Sequence, residues 1–349
     1  MKDIWKRVTT AGVLLVVGLG VCLWSRGDEE ALLQKDNSTT QSIFAMDTYM
    51  DITAYGTNSE GAVEAAIAEI HRLDALFSTG NETSEVYLIN QEKSGVLSED
   101  YAYLFGRSME LWETTNGIFD ITVYPVMRAW GFVDKSYRVP EETELLELLD
   151  FVDTSKVVYH KETGKIELPI QAEIDFGGIA KGYTSMRVSQ VMKEQGVESA
   201  IVNLGGNVQT VGEKPDGSKW KVAIKSPYED IPYLGVLAIG ETAVITSGGY
   251  ERYFEEDGKR YHHIIDTRTG YPAQSGLISV TIVCEDGALA DGLSTSLYVM
   301  GKDEAIAYWR AHYNEFEAVI CTQEDKLYVT EGLQDCFTSQ LEYEIVSAQ

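Results

Sequence analysis

Apolar side chains at Val63, Ile67, Ile70 and Leu73 recur every three or four residues, which predicts an amphipathic helix over residues 61–76. Leu104, Met109 and Leu111 repeat the pattern and predict a second helix over 102–114. A short helix begins at residues 140–149, where Glu141 and Glu142 in the first turn suit the helix dipole. Three more helices are predicted at 183–195, 288–300 and 304–313, the first stopping at Gly196. Alternation or short apolar runs predict strands at 50–55, 200–203, 220–225, 234–239, 243–245, 263–266, 278–284 and 318–322. Residues 157–159 and 165–168, split by Thr163-Gly164, predict a hairpin. No repeat, low-complexity stretch or long linker divides this body. The pattern implies one α+β domain over residues 42–347, with helices packed on a mixed sheet.

The first residues follow a different pattern. Lys2, Lys6 and Arg7 precede an apolar run at 11–24, and the chain turns polar at 25–30. A basic start with an apolar run of that length predicts a signal peptide or membrane anchor over residues 1–27. Cys22 closes Leu19-Gly20-Val21-Cys22, which is similar to a bacterial lipoprotein cleavage box with an unusual Val21. Lipidation of Cys22 and an uncleaved anchor stand as alternatives. Either predicts a body outside the cytoplasm, anchored to the bacterial cell membrane. Residues 28–41, rich in Asn, Ser and Thr, read as a linker.

The chain has 349 residues and a net charge of −27. That charge argues against nucleic acid or anionic lipid as the main partner, and it requires local cations or a metal around any anionic ligand. Cys284, Cys321 and Cys336 form no CxxC pair. This argues against zinc and leaves open one disulfide or buried free thiols. No P-loop, GxGxxG, GxSxG or HExxH motif occurs, which weakens kinase, dehydrogenase, serine-hydrolase and zinc-protease readings together.

Candidate chemistry concentrates in three segments. Residues 174–183, IDFGGIAKGY, place Asp175, Gly177, Gly178 and Lys181 where strand gives way to helix. Flexible backbone at a helix N-terminus suits a phosphate, and a neighbouring carboxylate suits a metal beside it. Asp291 and Thr295 are four apart on a predicted helix, so both point the same way as a half-site for a hard cation such as Mg²⁺. The plain alternative is a helix-start Asp and a Thr bonded to the preceding turn. His263, three residues before Asp266, is a natural general base or a satisfied structural histidine. Glycine pairs at 205–206 and 248–249 follow apolar strands, either as plain turns or as parts of a nucleotide cradle.

Taken together the segments resemble the ApbE-type flavin transferases, FAD:protein FMN transferases, from about Phe44 to Gly301. The resemblance rests on Met46-Asp47-Thr48, Phe77-Ser78, Ser84-Glu85-Val86 with Asn90, and residues 117–123 with Pro125 and Trp130-Gly131-Phe132. It continues through IDFGGIAKGY, Asn203-Leu204-Gly205-Gly206, Thr246-Ser247-Gly248 with Tyr250, His263–Asp266 with Thr269-Gly270, and Ala290-Asp291 with Thr295. It implies transfer of FMN from FAD to a Ser or Thr hydroxyl of an acceptor flavoprotein through a phosphoester, with AMP released and Mg²⁺ required. Asp291, Thr295 and the backbone carbonyls of Gly178 and Ala288 are then the metal ligands. Met46, Ile118, Phe119, Asp120, Asp175, Lys181, His263 and Ile264 are FAD contacts, and His263 is the candidate base. Asp175 thereby moves from metal ligand to FAD contact. The acceptor acts in trans, and the anchor points to a membrane-associated electron-transfer subunit. An Mg²⁺-dependent FAD diphosphatase and a non-catalytic flavin-binding lipoprotein are the alternatives. Two positions depart from the family pattern. Gly80 stands where an aromatic residue often covers the adenine, which keeps hydrolysis in play and leaves a replacement lid to come from Tyr87 or from elsewhere. Thr267 stands in place of a proline, with a small expected effect on the turn.

Overall fold

A computed structural model describes residues 37–349 with the exception of Glu229. The signal or anchor segment, Cys22 and residues 28–36 of the linker lie outside the described residues. Folded structure begins earlier than expected, in β1 (Ser38–Ala45), which pairs antiparallel with β2 (Thr48–Tyr55). The polar look of residues 38–41 hid this strand, yet Thr39 and Thr40 are good strand formers, and Thr40 bonds Thr53 across the pair at 2.9 Å.

Seven further strands complete one sheet: β3 (Ala200–Leu204), β4 (Asn207–Val211), β5 (Ala243–Gly248), β6 (Leu277–Cys284), β7 (Glu317–Thr322), β8 (Leu327–Thr330) and β9 (Tyr343–Val346). They lie side by side in chain order, antiparallel except for the parallel pair β8 and β9. The expected α+β architecture with a mixed sheet is therefore present. Between β2 and β3 the chain inserts α1 (Ser59–Phe77), α2 (Glu85–Glu92), α3 (Glu99–Thr114), α4 (Tyr124–Ala129), α5 (Glu142–Leu149) and α6 (Ala180–Glu194). Between β6 and β7 come α7 (Gly287–Met300) and α8 (Lys302–Ala311).

The period-two alternation of the strands divides the core. On β5, Ala243 and Ile245 pack beneath the helices with Leu293 and Leu297 of α7. Val244 between them faces the other way, into a second core shared with Trp220, Val222 and Leu237. Those residues belong to a small sheet of Trp220–Lys225, Tyr233–Ile239 and Phe337–Thr338. The result is three layers: helices, large sheet, small sheet. Cys284 and Cys321 are buried free thiols and Cys336 is a half-buried one.

Two differences from the sequence reading bear on the site. Residues 263–266 form no strand; only Ile265 bridges, to Pro272, and the true strand is Lys259–His262, paired with Tyr253–Glu256. Helix α6 begins at Ala180 rather than 183, so Lys181 and Gly182 lie within its first turn. Glycine is a poor helix former, which hid the start. Its presence is steric: a Cβ on Gly182 would stand 2.0 Å from the Gly287 carbonyl oxygen and 2.7 Å from Asp291 Cβ.

Candidate active site

The approach of α6 to α7 fixes one half of the site. With no side chain at Gly182, its backbone N–H donates to Asp291 Oδ2 at 2.8 Å. The Gly182 N–H at this helix start thus serves a carboxylate of the protein itself. Asp291 is 5% exposed, and burial raises its pKa, against which the Lys181 charge and the Gly182 N–H act. Among the described residues it has no ion-pair partner within 4.0 Å. Thr295 follows one turn later, and its hydroxyl lies 3.2 Å from Ser247 Oγ on β5. The expected shared face of Asp291 and Thr295 is present.

Phe119 brings Gly178 to this point. Its Cε2 would lie 3.2 Å from a Cβ on Gly178 and 3.4 Å from one on Gly292, so the ring wedges between the glycine loop and α7. Ala288 is fully buried one turn before Asp291; in a regular helix its carbonyl accepts from the N–H of Gly292. Among the described residues no three His, Cys, Asp or Glu side chains converge as a metal site. The buried Asp291 carboxylate and the Thr295 hydroxyl are oxygen donors, which suit a hard cation such as Mg²⁺ better than zinc.

The other half is a cleft of about 960 Å³. Its wall includes Met46 from the β1–β2 turn, Gly80, Lys181, Gly206, Lys225 and the run Tyr250–Arg252, with His263. Met46 and Asp47 both adopt positive φ, 48° and 60°, as a two-residue hairpin turn demands. Non-glycine residues pay strain for that backbone, and such strain concentrates at functional sites. Met46 Sδ lies 3.8 Å from the Thr184 hydroxyl of α6, which holds the turn against the helix that carries Lys181.

His263 follows directly on the strand Lys259–His262. Its backbone N–H and its Nδ1 both meet the Arg252 carbonyl, each at 3.1 Å. A carbonyl only accepts, so Nδ1 carries the proton and Nε2 keeps its lone pair. Burial pushes the His263 pKa down to about 3, and the charges of Lys181 and Arg252 add to that. The imidazole is therefore neutral at physiological pH, in the tautomer of a base. Arg252 also donates to the Phe132 carbonyl, which secures the segment that holds His263.

Asp175 is anchored nearby. Asn90 clamps both backbone groups of Ile174 at 2.8 Å, and the Asp175 carboxylate accepts from Gly177 N–H at 3.1 Å. Burial raises the Asp175 pKa, opposed by the Gly177 N–H and by the Arg252 charge. Asp120 is different from expectation. Its carboxylate accepts from the N–H and hydroxyl of Thr122 and from the N–H and hydroxyl of Thr154. That side chain ties two turns together. Of the expected site residues Met46, Lys181 and His263 line the cleft, whereas Ile118, Phe119, Asp120, Asp175, Gly178, Ile264, Ala288, Asp291 and Thr295 lie off its wall, and Ile264 is a core residue. Thr267 matters more than expected: its hydroxyl donates to the Gly117 carbonyl at 2.9 Å, clipping the 117–120 loop to the segment after His263.

Tyr87 is not on the cleft wall, whereas Phe44, 56% exposed, is. A Cβ on Gly80 would meet nothing nearer than Ser78 Oγ at 4.0 Å, so the position expected to carry an aromatic lid is open space. Sequence reasoning missed Glu251, Arg252 and Lys225. Burial raises the Glu251 pKa, opposed by the charges of Lys181 and Lys225. The only signal was their place after the glycine pair at 248–249 and at the end of a strand.

The ApbE family model matches residues 46–320. The FAD:protein FMN transferase of Haemophilus influenzae is 28% identical over 331 residues, 91% of this chain and 94% of that protein. That of Klebsiella pneumoniae is 36% identical over 207 residues, 59% of this chain and 63% of that protein. Among solved structures, the ApbE protein of Thermotoga maritima matches with a TM-score of 0.81 and 31% identity, over 86% of this chain and 99% of that one. The flavin transferase ApbE of Vibrio cholerae matches with a TM-score of 0.76 and 26% identity, over 86% and 99%.

Proposed function

The chain belongs to the ApbE family, and from that premise we propose that it transfers FMN from FAD to a hydroxyl of an acceptor protein. The acceptor oxygen attacks the phosphorus on the FMN side of the diphosphate. The new P–O bond forms as the bond to AMP breaks, and AMP leaves. The hydroxyl proton passes to His263 Nε2, the lone pair that the Arg252 carbonyl leaves free. That fixed tautomer on the cleft wall is the observation that carries the reading. Lys181 and Lys225, both on the wall, suit an anionic substrate in a protein of net charge −27.

Asp291 and Thr295 are the side chains that would hold Mg²⁺, with the Gly178 backbone carbonyl as a further candidate ligand. Mg²⁺ bound there would offset diphosphate charge and ease departure of AMP. The polypeptide acts outside the cytoplasm through its N-terminal segment, on an acceptor in trans. Among the described residues no helix is long and apolar enough to cross a membrane.

His263→Ala tests the assignment. Transfer should slow far more than FAD binding weakens; equal losses in both would make His263 structural. A second reading, FAD hydrolysis with water in place of the hydroxyl, is favoured by the open space at Gly80. AMP release at one rate with or without acceptor selects it.

A further inference from the structure

We propose that Ser247 and Ser294 form a hydroxyl relay that orients the Thr295 hydroxyl and keeps both of its lone pairs available to a divalent cation. The inference rests on the proposed role of Thr295 as a metal ligand. It follows from counting protons. Ser294, fully buried, donates its only proton to the Asp291 carbonyl at 2.8 Å, a group that can only accept. Ser294 must therefore accept in its contact with Ser247 Oγ, also at 2.8 Å. That uses the one proton of Ser247. The contact between Ser247 and Thr295, 3.2 Å, then runs from Thr295 to Ser247. With its proton sent to β5, Thr295 has no proton left to turn toward a cation.

The usual alternative for a helical threonine is to donate to the carbonyl four residues back. Here that carbonyl belongs to Asp291 and already accepts from Ser294. Ser247 thus supplies what α7 alone does not, and it couples the metal half-site to the central sheet. Ser247 and Ser294 are positioning residues, since neither is itself a proposed ligand.

The test is direct metal binding. Mn²⁺ is titrated into the full chain with FAD present and no acceptor, and the free ion is read by electron paramagnetic resonance. Ser247→Ala should weaken Mn²⁺ binding roughly 10- to 100-fold, the usual effect of removing a partner of a metal ligand. Ser247→Thr, which keeps the hydroxyl, should restore most of the affinity. Ser294→Ala should give a smaller loss, because Ser247 remains as acceptor but becomes free to reverse. Metal-free unfolding midpoints separate these effects from misfolding. Wild-type Mn²⁺ affinity in both alanine variants overturns the relay, even if the wild-type chain transfers FMN normally. Mn²⁺ binding that follows the predicted order in a chain that never transfers FMN supports the relay and removes only the functional reading.

Discussion

Gly182→Ala sets two ordinary effects of opposite sign against each other. Replacing glycine by alanine inside a helix gains about 1 kcal/mol from propensity. The α6–α7 contact opposes this. The new Cβ would lie 2.0 Å from the Gly287 carbonyl oxygen, whereas ordinary contacts begin at 3.4 Å. The helices must part by about 1.4 Å along that direction, because the obstructing atoms are backbone and a buried Cβ that cannot swing aside. Overpacking of this kind costs about 1–3 kcal/mol, and separation also breaks the 2.8 Å bond from Gly182 N–H to Asp291, worth about 1–3 kcal/mol because it leaves buried polar groups unpaired. Sterics win over propensity, for a net loss of about 1–5 kcal/mol. Urea unfolding of the metal-free protein reads this as a lower midpoint at unchanged slope. Mn²⁺ binding should fall in the same variant, because Asp291 loses its fixed position. A variant as stable as wild type, or more so, would refute the reasoning.

Asp120→Ala removes an acceptor of four hydrogen bonds and should cost roughly 2–5 kcal/mol in urea unfolding; lost FAD affinity at unchanged stability would instead mark Asp120 as a ligand contact. His263 has a folded pKa of about 3 against about 6.5 unfolded, so between these the unfolded chain binds the extra proton and stability falls with falling pH. His263→Gln should flatten that acid limb, and the transfer rate of the wild type should show no inflection near pH 6.5 from this residue. Gly80→Tyr enters open space, so the unfolding midpoint should hold while the ratio of transfer to FAD hydrolysis, read by chromatography of FMN and AMP, rises.

The parts of the site that depend on side-chain spacing were legible in the sequence. Asp291 and Thr295 share a helix face because helical geometry requires it, and Lys181 lies on the cleft as the glycine segment implied. What depends on backbone was not legible. The carbonyl that sets the His263 tautomer belongs to Arg252, and any residue type presents a carbonyl. The β1–β2 turn carries Met46-Asp47 rather than Asn-Gly, so it gave no hairpin signal. Asp120 carries a structural role that its local sequence does not announce. Family resemblance offered it as an FAD contact, while its side chain holds Thr122 and Thr154 in place. Long-range contacts such as the Phe119 wedge between Gly178 and Gly292 join residues far apart in sequence and have no local pattern.

The central claim is transfer of FMN to protein with His263 taking the proton. The most direct measurement follows AMP release and covalent FMN in one reaction of the full chain with FAD, Mg²⁺ and an acceptor flavoprotein. The account predicts one AMP for each FMN attached to an acceptor hydroxyl, little AMP without acceptor, and loss of both products in His263→Ala. AMP released at the same rate without acceptor, with no covalent FMN formed, would contradict it.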